Sequence, residues 1–263
     1  MKINTRTIKE MAEDGERLDG RKMDEYREID LETDYIETTA QGSAKVSIGD
    51  TQVIVGLSTE VEEPYPDQPN KGSIAANAEL APMASREFES GPPGEKGTEL
   101  ARVVDRGIRE SEAVDFQKLC IEKGEKVYVI FIDIHILNND GNLIDAAALG
   151  ALAALKTGYL PKYDEETGNL DHDSEGTDIP MTKEPVTVTG RKIDEQLLWD
   201  TTNQEEEAQS ARLTISTTEQ DKVVAMQKGG RESLTQEEIR ELMNQAEAKN
   251  QEIRKILHEE TGE

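Results

Sequence analysis

The segment that restricts the possible folds most strongly lies near the middle of the chain. A nearly all-apolar run, Val127–Leu137, leads into Asn139-Asp-Gly141, and an alanine-rich segment, Leu143–Thr157, follows directly. Runs rich in β-branched residues favour a buried strand, Asn, Asp and Gly favour a tight turn, and alanine and leucine favour a helix. The sequence therefore predicts a strand, a turn and a helix in that order, with the helix packed closely between other layers.

The predicted start of this helix is a potential anion-binding site. The first N–H groups of a helix are unpaired and the helix dipole adds positive charge there, so a phosphate can bind. Between Gly141 and Gly150, however, there is no Lys, Arg, Ser or Thr, and the first turn carries Asp145. We interpret this as a phosphate-type site that is inactive, because the protein has placed a negative charge of its own there.

Hairpin patterns followed by helical patterns occur twice. Residues 44–57 alternate apolar and polar side chains around a Gly-Asp turn, and residues 212–227 do so more briefly. Helical patterns follow at residues 98–113 and 143–157 and again near the end, where Thr235-Gln-Glu-Glu238 is a capping box. We predict an α+β fold in which two β-then-α layers share one core. The predicted organisation is an N-terminal helix and arm (1–30), a first half (31–185) and a second half with a long C-terminal helix (186–263).

The composition limits the possible partners and location. The formal net charge of −26, from 56 acidic and 30 basic residues, excludes indiscriminate nucleic-acid binding over the whole surface, so any such contact must be local. A single cysteine, Cys120, excludes an intramolecular disulfide and indicates a reducing compartment. No signal peptide is visible, and no segment approaches the roughly 20 apolar residues of a membrane span. We expect a cytoplasmic protein with no membrane contact.

Three arginines form the most distinctive charged pattern. Arg102, Arg106 and Arg109 recur at i, i+4 and i+7 of a predicted helix, which places their guanidinium groups on one side. Such groups can bind the phosphates of single-stranded RNA without reading its sequence. The alternative is that they form intramolecular salt bridges with Glu99, Asp105 and Glu110.

The sequence predicts neither a metal site nor a cofactor. His135 lies within a predicted strand and has no second ligand at metal spacing, so we expect a packed side chain. The cluster Asp171-His-Asp-Ser-Glu175 fits a solvated loop better than a cation site.

Several motifs together resemble the RNase PH family, and they span nearly the whole chain. They are Arg17-Leu-Asp-Gly-Arg21, Gly42-Ser-Ala-Lys-Val46 with Gly49-Asp-Thr51, Ala76-Asn-Ala-Glu-Leu80, Glu99-Leu-Ala-Arg-Val-Val-Asp-Arg106 and Asp140-Gly141. Within the family, the chain is most similar to the non-catalytic RNase PH-like subunits of archaeal exosomes. The resemblance implies an RNase PH-like fold with two βαβα halves, of the ribosomal protein S5 domain 2-like type.

The resemblance also implies partners. Subunits of this type alternate with a catalytic RNase PH-like paralogue in a hetero-hexameric ring that carries RNA-binding cap subunits. Single-stranded RNA enters the central channel and is degraded from its 3′ end by inorganic phosphate. Arg102 and Arg106, with Arg109 beside them, match positions that face the RNA. The implied function is RNA binding and support of the partner's activity, without a catalytic residue in this chain.

Two departures from the active members support an inactive subunit. Those members hold phosphate with a Gly-[Gly/Ser/Thr]-[Ser/Thr]-Arg loop, and this chain has Gly141-Asn-Leu-Ile-Asp145 instead. They also place an acidic residue in the segment that corresponds to residues 200–212, where Ser210-Ala211 stand here. Phosphorolysis needs the clamped phosphate and the acid together.

Two alternatives stay open on the sequence. An active phosphorolytic 3′-to-5′ exoribonuclease would need another anion site, near Arg86 or Arg191. A plain acidic interaction module would have no RNA role, so replacing Arg102 and Arg106 by Glu would leave RNA capture unchanged.

Overall fold

The structure, a computed structural model, describes residues 4–172 and 176–262. The helices within these residues are α1 (Thr5–Glu13), α2 (Glu95–Ser111), α3 (Leu143–Thr157), α4 (Asn203–Ala208) and α5 (Gln236–Thr261). The strands are β1 (Ile29–Thr33), β2 (Gly42–Ile48), β3 (Thr51–Glu62), β4 (Ser73–Glu79), β5 (Cys120–Glu122), β6 (Lys126–Asn138), β7 (Tyr159–Leu160), β8 (Lys162–Asp164), β9 (Asn169–Asp171), β10 (Thr177–Asp178), β11 (Val186–Ile193), β12 (Gln196–Trp199), β13 (Ala211–Thr217) and β14 (Val223–Gly230).

Two main sheets carry the fold. The first has the order β1-β2-β3-β6-β4, with β5 on the end of β6, and only β4 runs parallel to its neighbour β6. The second is antiparallel throughout, with the order β12-β11-β13-β14. In each half of the chain, strands are followed by a helix, further strands and a second helix. This is the α+β arrangement that the sequence predicts.

Helix α3 lies at the centre, between the first sheet and β11 of the second. Its residues from Ile144 to Leu155 are all buried, as the lack of a polar face predicts. The approach to the first sheet is close, because a Cβ added at Gly150 would lie 2.8 Å from Cγ2 of Val55. Side chains of both halves, from Val46 in β2 to Leu257 in α5, belong to one hydrophobic core.

Most of the predicted elements are present, with shifted ends. Helix α3 has the predicted bounds, and α5 begins with the predicted capping box, in which Thr235 and Glu238 bond reciprocally. Helix α2 begins earlier than expected and ends at Ser111, because Glu112 adopts a left-handed conformation (φ 54°) and caps the helix.

The expectation that His135 is packed is wrong. Side chains alternate across a strand, and Ile134 and Ile136 of β6 face the core, so His135 points to the opposite face. Its side chain is 52% exposed and its Nδ1 lies 3.2 Å from a carboxylate oxygen of Glu79. Cys120 is half-buried and unpaired.

The described residues contain no cluster of three or more His, Cys, Asp or Glu side chains suited to a metal ion. Residues 173–175 of the acidic cluster considered above lie outside the described part of the chain. In residues 4–172 and 176–262, no helix is both long enough and apolar enough to span a membrane.

Candidate functional site

Two of the three arginines of α2 are exposed to solvent and have no carboxylate partner among the described residues. Arg102 and Arg106 are exposed and line one groove together with Gln227 of β14. Nη1 of Arg106 donates to Oε1 of Gln227 at 2.9 Å, and no carboxylate among the described residues forms a salt bridge with either arginine. Both side chains therefore keep their charge available for an external anion.

Arg109 differs from the other two because it is held within the protein. Its Nη2 lies 2.8 Å from Oδ1 of Asp105 and also donates to the backbone oxygen of Ile74 at 2.8 Å. The pKa of Arg109 is raised, mainly by the hydrogen bond to Asp105. Glu99, another candidate partner, binds Arg212 of β13 instead. An intramolecular salt bridge, the alternative to an RNA contact, is thus present for Arg109 alone of the three.

A glutamate from a distant segment occupies the start of α3. Asn142 precedes the helix in a left-handed conformation (φ 58°), and its N–H donates to Oε1 of Glu206 at 2.7 Å. The same carboxylate oxygen accepts from Nη2 of Arg191, whose side chain is 2% exposed. Glu206 therefore contributes the negative charge that a bound phosphate would otherwise contribute at this helix terminus.

The prediction that Asp145 fills the anion site needs correction. Asp145 is buried, and its Oδ2 accepts from the Tyr26 hydroxyl at 2.8 Å and from the N–H of Thr189 at 3.1 Å. Burial raises the pKa of Asp145 to about 6. Its side chain contacts β11 and the N-terminal arm, whereas Glu206 occupies the helix start. The carboxylate at the start of α3 is therefore that of Glu206 and not, as predicted, that of Asp145.

The start of α3 opens onto a cavity of about 340 Å³ whose cations are all paired with glutamates. Besides Arg191, which binds Glu206, the lining includes Arg212, which donates to Oε1 of Glu99, and Lys96, whose Nζ lies 3.2 Å from Oε2 of Glu87. The active-enzyme alternative needs an anion site near Arg86 or Arg191. Arg86 is exposed and does not line this cavity, and the charge of Arg191 is paired with that of Glu206.

Comparisons with known proteins give the family. The model of the 3′ exoribonuclease family, domain 1, matches residues 25–161, and that of domain 2 matches residues 183–249. This chain belongs to the RNase PH family. The RNase PH-like fold predicted from the motifs is thereby confirmed.

Several relatives in this family are similar over almost their full length. The exosome complex component Rrp42 of Thermococcus gammatolerans is 46% identical over 257 residues, which cover 97% of this chain and 94% of the relative. The Rrp42 of Archaeoglobus fulgidus is 48% identical over 231 residues, covering 88% and 86%. A solved structure described as the Archaeoglobus fulgidus exosome with RNA bound to the active site matches with a TM-score of 0.88 at 45% identity, over 95% of this chain and 96% of that one. An archaeal exosome core matches with a TM-score of 0.84 at 42% identity, over 98% and 96%.

Ser210 and Ala211 stand at the position where the resemblance to active RNase PH proteins leads us to expect an acidic residue. Ser210 is buried and its hydroxyl donates to the backbone oxygen of Lys192 at 3.3 Å, while Ala211 begins β13 and is fully buried. Neither side chain can protonate a leaving oxygen in the way that a carboxylic acid does.

A buried ionic network, which sequence reasoning missed, joins the N-terminal arm to the second half. The guanidinium group of Arg27 donates hydrogen bonds of 2.7 and 2.8 Å to the carboxylate of Asp200, and its backbone N–H donates another at 2.7 Å. The guanidinium group of Arg21 donates a further one at 2.8 Å. Burial alone would raise the pKa of Asp200, but the hydrogen bonds and charge of Arg27 outweigh it and leave that pKa lowered. Arg17 binds Glu205 in the same way, at 2.7 and 2.9 Å.

Helix α4, which carries Glu205 and Glu206, was also missed. A capping box between Thr202 and Glu205 starts it, and this Thr-x-x-Glu spacing is visible in the sequence. The helix is short, and α1 packs against it through Ile8 and Ala208. A helix of six residues carries too little periodicity to stand out from its neighbours, so the capping box was its only signal.

Proposed function

We propose that this chain is a structural, RNA-binding subunit of an exosome ring and has no catalytic activity of its own. In this proposal it alternates with a catalytic RNase PH-like paralogue in a hetero-hexameric ring that carries RNA-binding cap subunits and acts in the cytoplasm. It contributes to RNA binding and to the assembly and activity of the partner during 3′-to-5′ RNA degradation. The proposal is supported by the similarity to relatives named Rrp42 and to archaeal exosome structures.

The observation that carries the non-catalytic part is the position of Glu206. Its carboxylate accepts the N–H of Asn142 at the start of α3 and neutralises the buried Arg191. A phosphate at this place would meet like charge and would have to displace two charge-assisted hydrogen bonds. With Ser210 and Ala211 in place of an acid, the chain offers neither a clamped phosphate nor a proton donor to a leaving nucleotide.

The RNA-binding part rests on Arg102 and Arg106. The two are one helical turn apart, exposed, and free of carboxylate partners among the described residues. Their charge stands out against the net charge of −26, so they form a local site on a surface that repels RNA elsewhere. Arg109 flanks them, and we propose that its salt bridge with Asp105 gives it a smaller share of the contact.

Phosphate-dependent release of nucleoside diphosphates from poly(A) tests the absence of catalysis. The isolated chain should release none, and the ring formed with the paralogue should be active. In the matched experiment, the ring is assembled from this chain and a paralogue whose own catalytic residues have been replaced. This ring should release no nucleoside diphosphates. Phosphate-dependent turnover by the isolated chain would support the active-enzyme alternative and refute the proposal.

RNA binding by the assembled ring tests the arginines. The double substitution Arg102→Glu and Arg106→Glu should weaken binding and flatten its salt dependence, by about 1.4 in the slope of log K against log salt for two lost phosphate contacts. Arg231→Glu with Arg240→Glu changes the net charge equally at two other exposed arginines and serves as the control. Equal binding by both double variants would favour the acidic interaction module.

We further propose that this chain alone is monomeric or weakly associated and forms a stable ring only with the paralogue. Size-exclusion chromatography with light scattering on each subunit and on the mixture would measure this, and a hexamer of this chain alone would contradict it. The division into an arm (1–30) and two halves (31–185 and 186–263) is part of the same proposal, with the arm held by its contacts with Asp200 and Glu205.

A further inference from the structure

The cavity at the start of α3 adjoins the groove that contains Arg102 and Arg106. Lys96 and Glu99, both in α2, line the cavity and the groove alike. Along the helix axis, α2 rises about 4.5 Å from Glu99 to Arg102 and about 10.5 Å from Glu99 to Arg106. A nucleic acid strand whose phosphates bind the two arginines therefore reaches the cavity with a neighbouring nucleotide.

The charges of the cavity disfavour a second phosphate and favour an uncharged group. Four glutamates and three cationic side chains line it, so the sum of their charges is negative. Each of the three cations is paired with one of these glutamates. An anion would have to displace a carboxylate from a cation, whereas a neutral group leaves all three pairs intact. The part of a nucleotide that fits the cavity is therefore its base.

The shape and the remaining lining of the cavity also suit a base. Its volume of about 340 Å³ lies at the lower end of the ~300–1,000 Å³ typical of small-molecule sites, as a single planar heterocycle requires. The apolar part of its lining consists of Leu80, Phe88, Leu100, Leu143 and Ile144. Asn139, Asn203 and Gln209 add amide groups. The cavity thus offers apolar contact for the faces of a base and hydrogen-bonding groups for its edge.

Asn203 is the amide most available to a ligand. Oδ1 of Asn139 accepts from the N–H of Gly141 at 3.1 Å, and Oε1 of Gln209 accepts from Arg191 at 2.9 Å. The side-chain amide of Asn203, the first residue of α4, forms no hydrogen bond with any other residue in the described part of the chain. An amide both donates and accepts, so it can pair with the edge of any of the four bases.

We propose that the cavity at the start of α3 holds one base of the single-stranded RNA whose phosphates bind Arg102 and Arg106. The apolar side chains contact the faces of the base, and the amide of Asn203 contacts its edge. This inference rests on the proposed RNA-binding function and adds a contact to the bases, which the arginines do not provide. The site that cannot clamp a phosphate then still holds RNA.

Photocrosslinking locates the base. The ring is assembled with the inactivated paralogue in phosphate-free buffer, and oligoribonucleotides with a single 4-thiouridine, placed at each position in turn, are bound and irradiated. At one position of the 4-thiouridine, the label should appear in peptides that contain residues 80–88 or 139–144 of this chain. Cross-links to this chain that are confined to other segments would overturn the inference.

One substitution measures the contact to the base edge. Asn203→Leu keeps the branched shape of the side chain but removes its hydrogen-bonding groups, and the ring should bind oligoadenylate about 2- to 12-fold more weakly. An RNA of the same length without bases should bind as it does to the parent ring. Asn244→Leu makes the same change at an exposed asparagine of α5 and should bind both RNAs within about twofold of the parent.

The remaining outcomes separate this inference from the proposed function. Equal binding of oligoadenylate by Asn203→Leu and the parent ring would exclude the edge contact, and failure of Asn203→Leu to enter the ring would assign the cavity to a protein interface. The arginine double variant should lose affinity for both RNAs. If it loses neither, the phosphate contacts of the proposed function are refuted, whereas a loss without cross-links in the cavity refutes this inference alone.

Discussion

Replacing Asp145 by Asn should remove a pH-dependent loss of stability. Asp145 is buried at the start of α3, and its pKa is about 6 in the folded protein against 3.8 as the ordinary value. Because the folded state favours the protonated form, this group lowers stability as the pH rises from 3.8 towards 6 and has no further effect above that. Below 3.8 the carboxyl is neutral in both states and contributes no pH dependence.

The size of the effect follows from the two pKa values. The interval from 3.8 to about 6 corresponds, at about 1.4 kcal/mol per pH unit, to about 3 kcal/mol in total. About half of this, roughly 1.4 kcal/mol, falls between pH 5 and pH 8. Asn keeps the shape of the side chain, and its oxygen can still accept from the Tyr26 hydroxyl and the Thr189 N–H, so the comparison isolates the charge.

Urea unfolding of the full chain, followed by circular dichroism at several pH values from 5 to 8, measures the prediction. The free energy of unfolding of Asp145→Asn, minus that of the parent, should rise by about 1.4 kcal/mol across this range. Asp178→Asn, at an exposed carboxylate of β10, controls for removal of one negative charge. A difference for Asp145→Asn that stays constant from pH 5 to pH 8 would refute the reasoning, because the buried carboxyl would then be ionised without cost.

Two further substitutions test the ion pairs around α4. Glu206→Gln should destabilise the protein by about 2 kcal/mol in urea unfolding, because Gln can still accept the N–H of Asn142 but leaves the buried charge of Arg191 without its partner. Arg17→Met should cost about 3–5 kcal/mol in the same assay, because it leaves the carboxylate of Glu205 buried and unpaired.

Matched controls keep these predictions specific. Glu207→Gln changes the next residue of α4, where the side chain is exposed, and should change stability by less than about 0.5 kcal/mol. Arg6→Met removes a salt bridge with Glu10 in which both side chains are mostly exposed, and it should cost about 0–1 kcal/mol. If Glu206→Gln matches Glu207→Gln, or Arg17→Met matches Arg6→Met, the corresponding buried pair does not contribute as described.

The elements that the sequence determined are those with a local signal. Helix α3 was predicted with its observed bounds because an unbroken small apolar run between a tight turn and Gly158 leaves no other stable arrangement. The start of α5 followed from a capping box, and the RNase PH motifs identified the family. The arginines of α2 were placed on one face because helical periodicity alone decides which side chains are neighbours.

Only the tertiary structure decided which charges meet. Asn142 and Glu206 are 64 residues apart, and Arg27 and Asp200 are 173 residues apart, so no local pattern connects them. The same holds for Arg109 of helix α2, which donates a hydrogen bond to the backbone oxygen of Ile74 in β4. Coulomb and hydrogen-bond energies depend on separations of a few ångströms, and those separations arise only when the sheets and helices pack. The sequence showed that residues 141–150 contain no Lys, Arg, Ser or Thr, and only the folded structure shows that the carboxylate of Glu206 accepts the N–H of Asn142 at the start of α3.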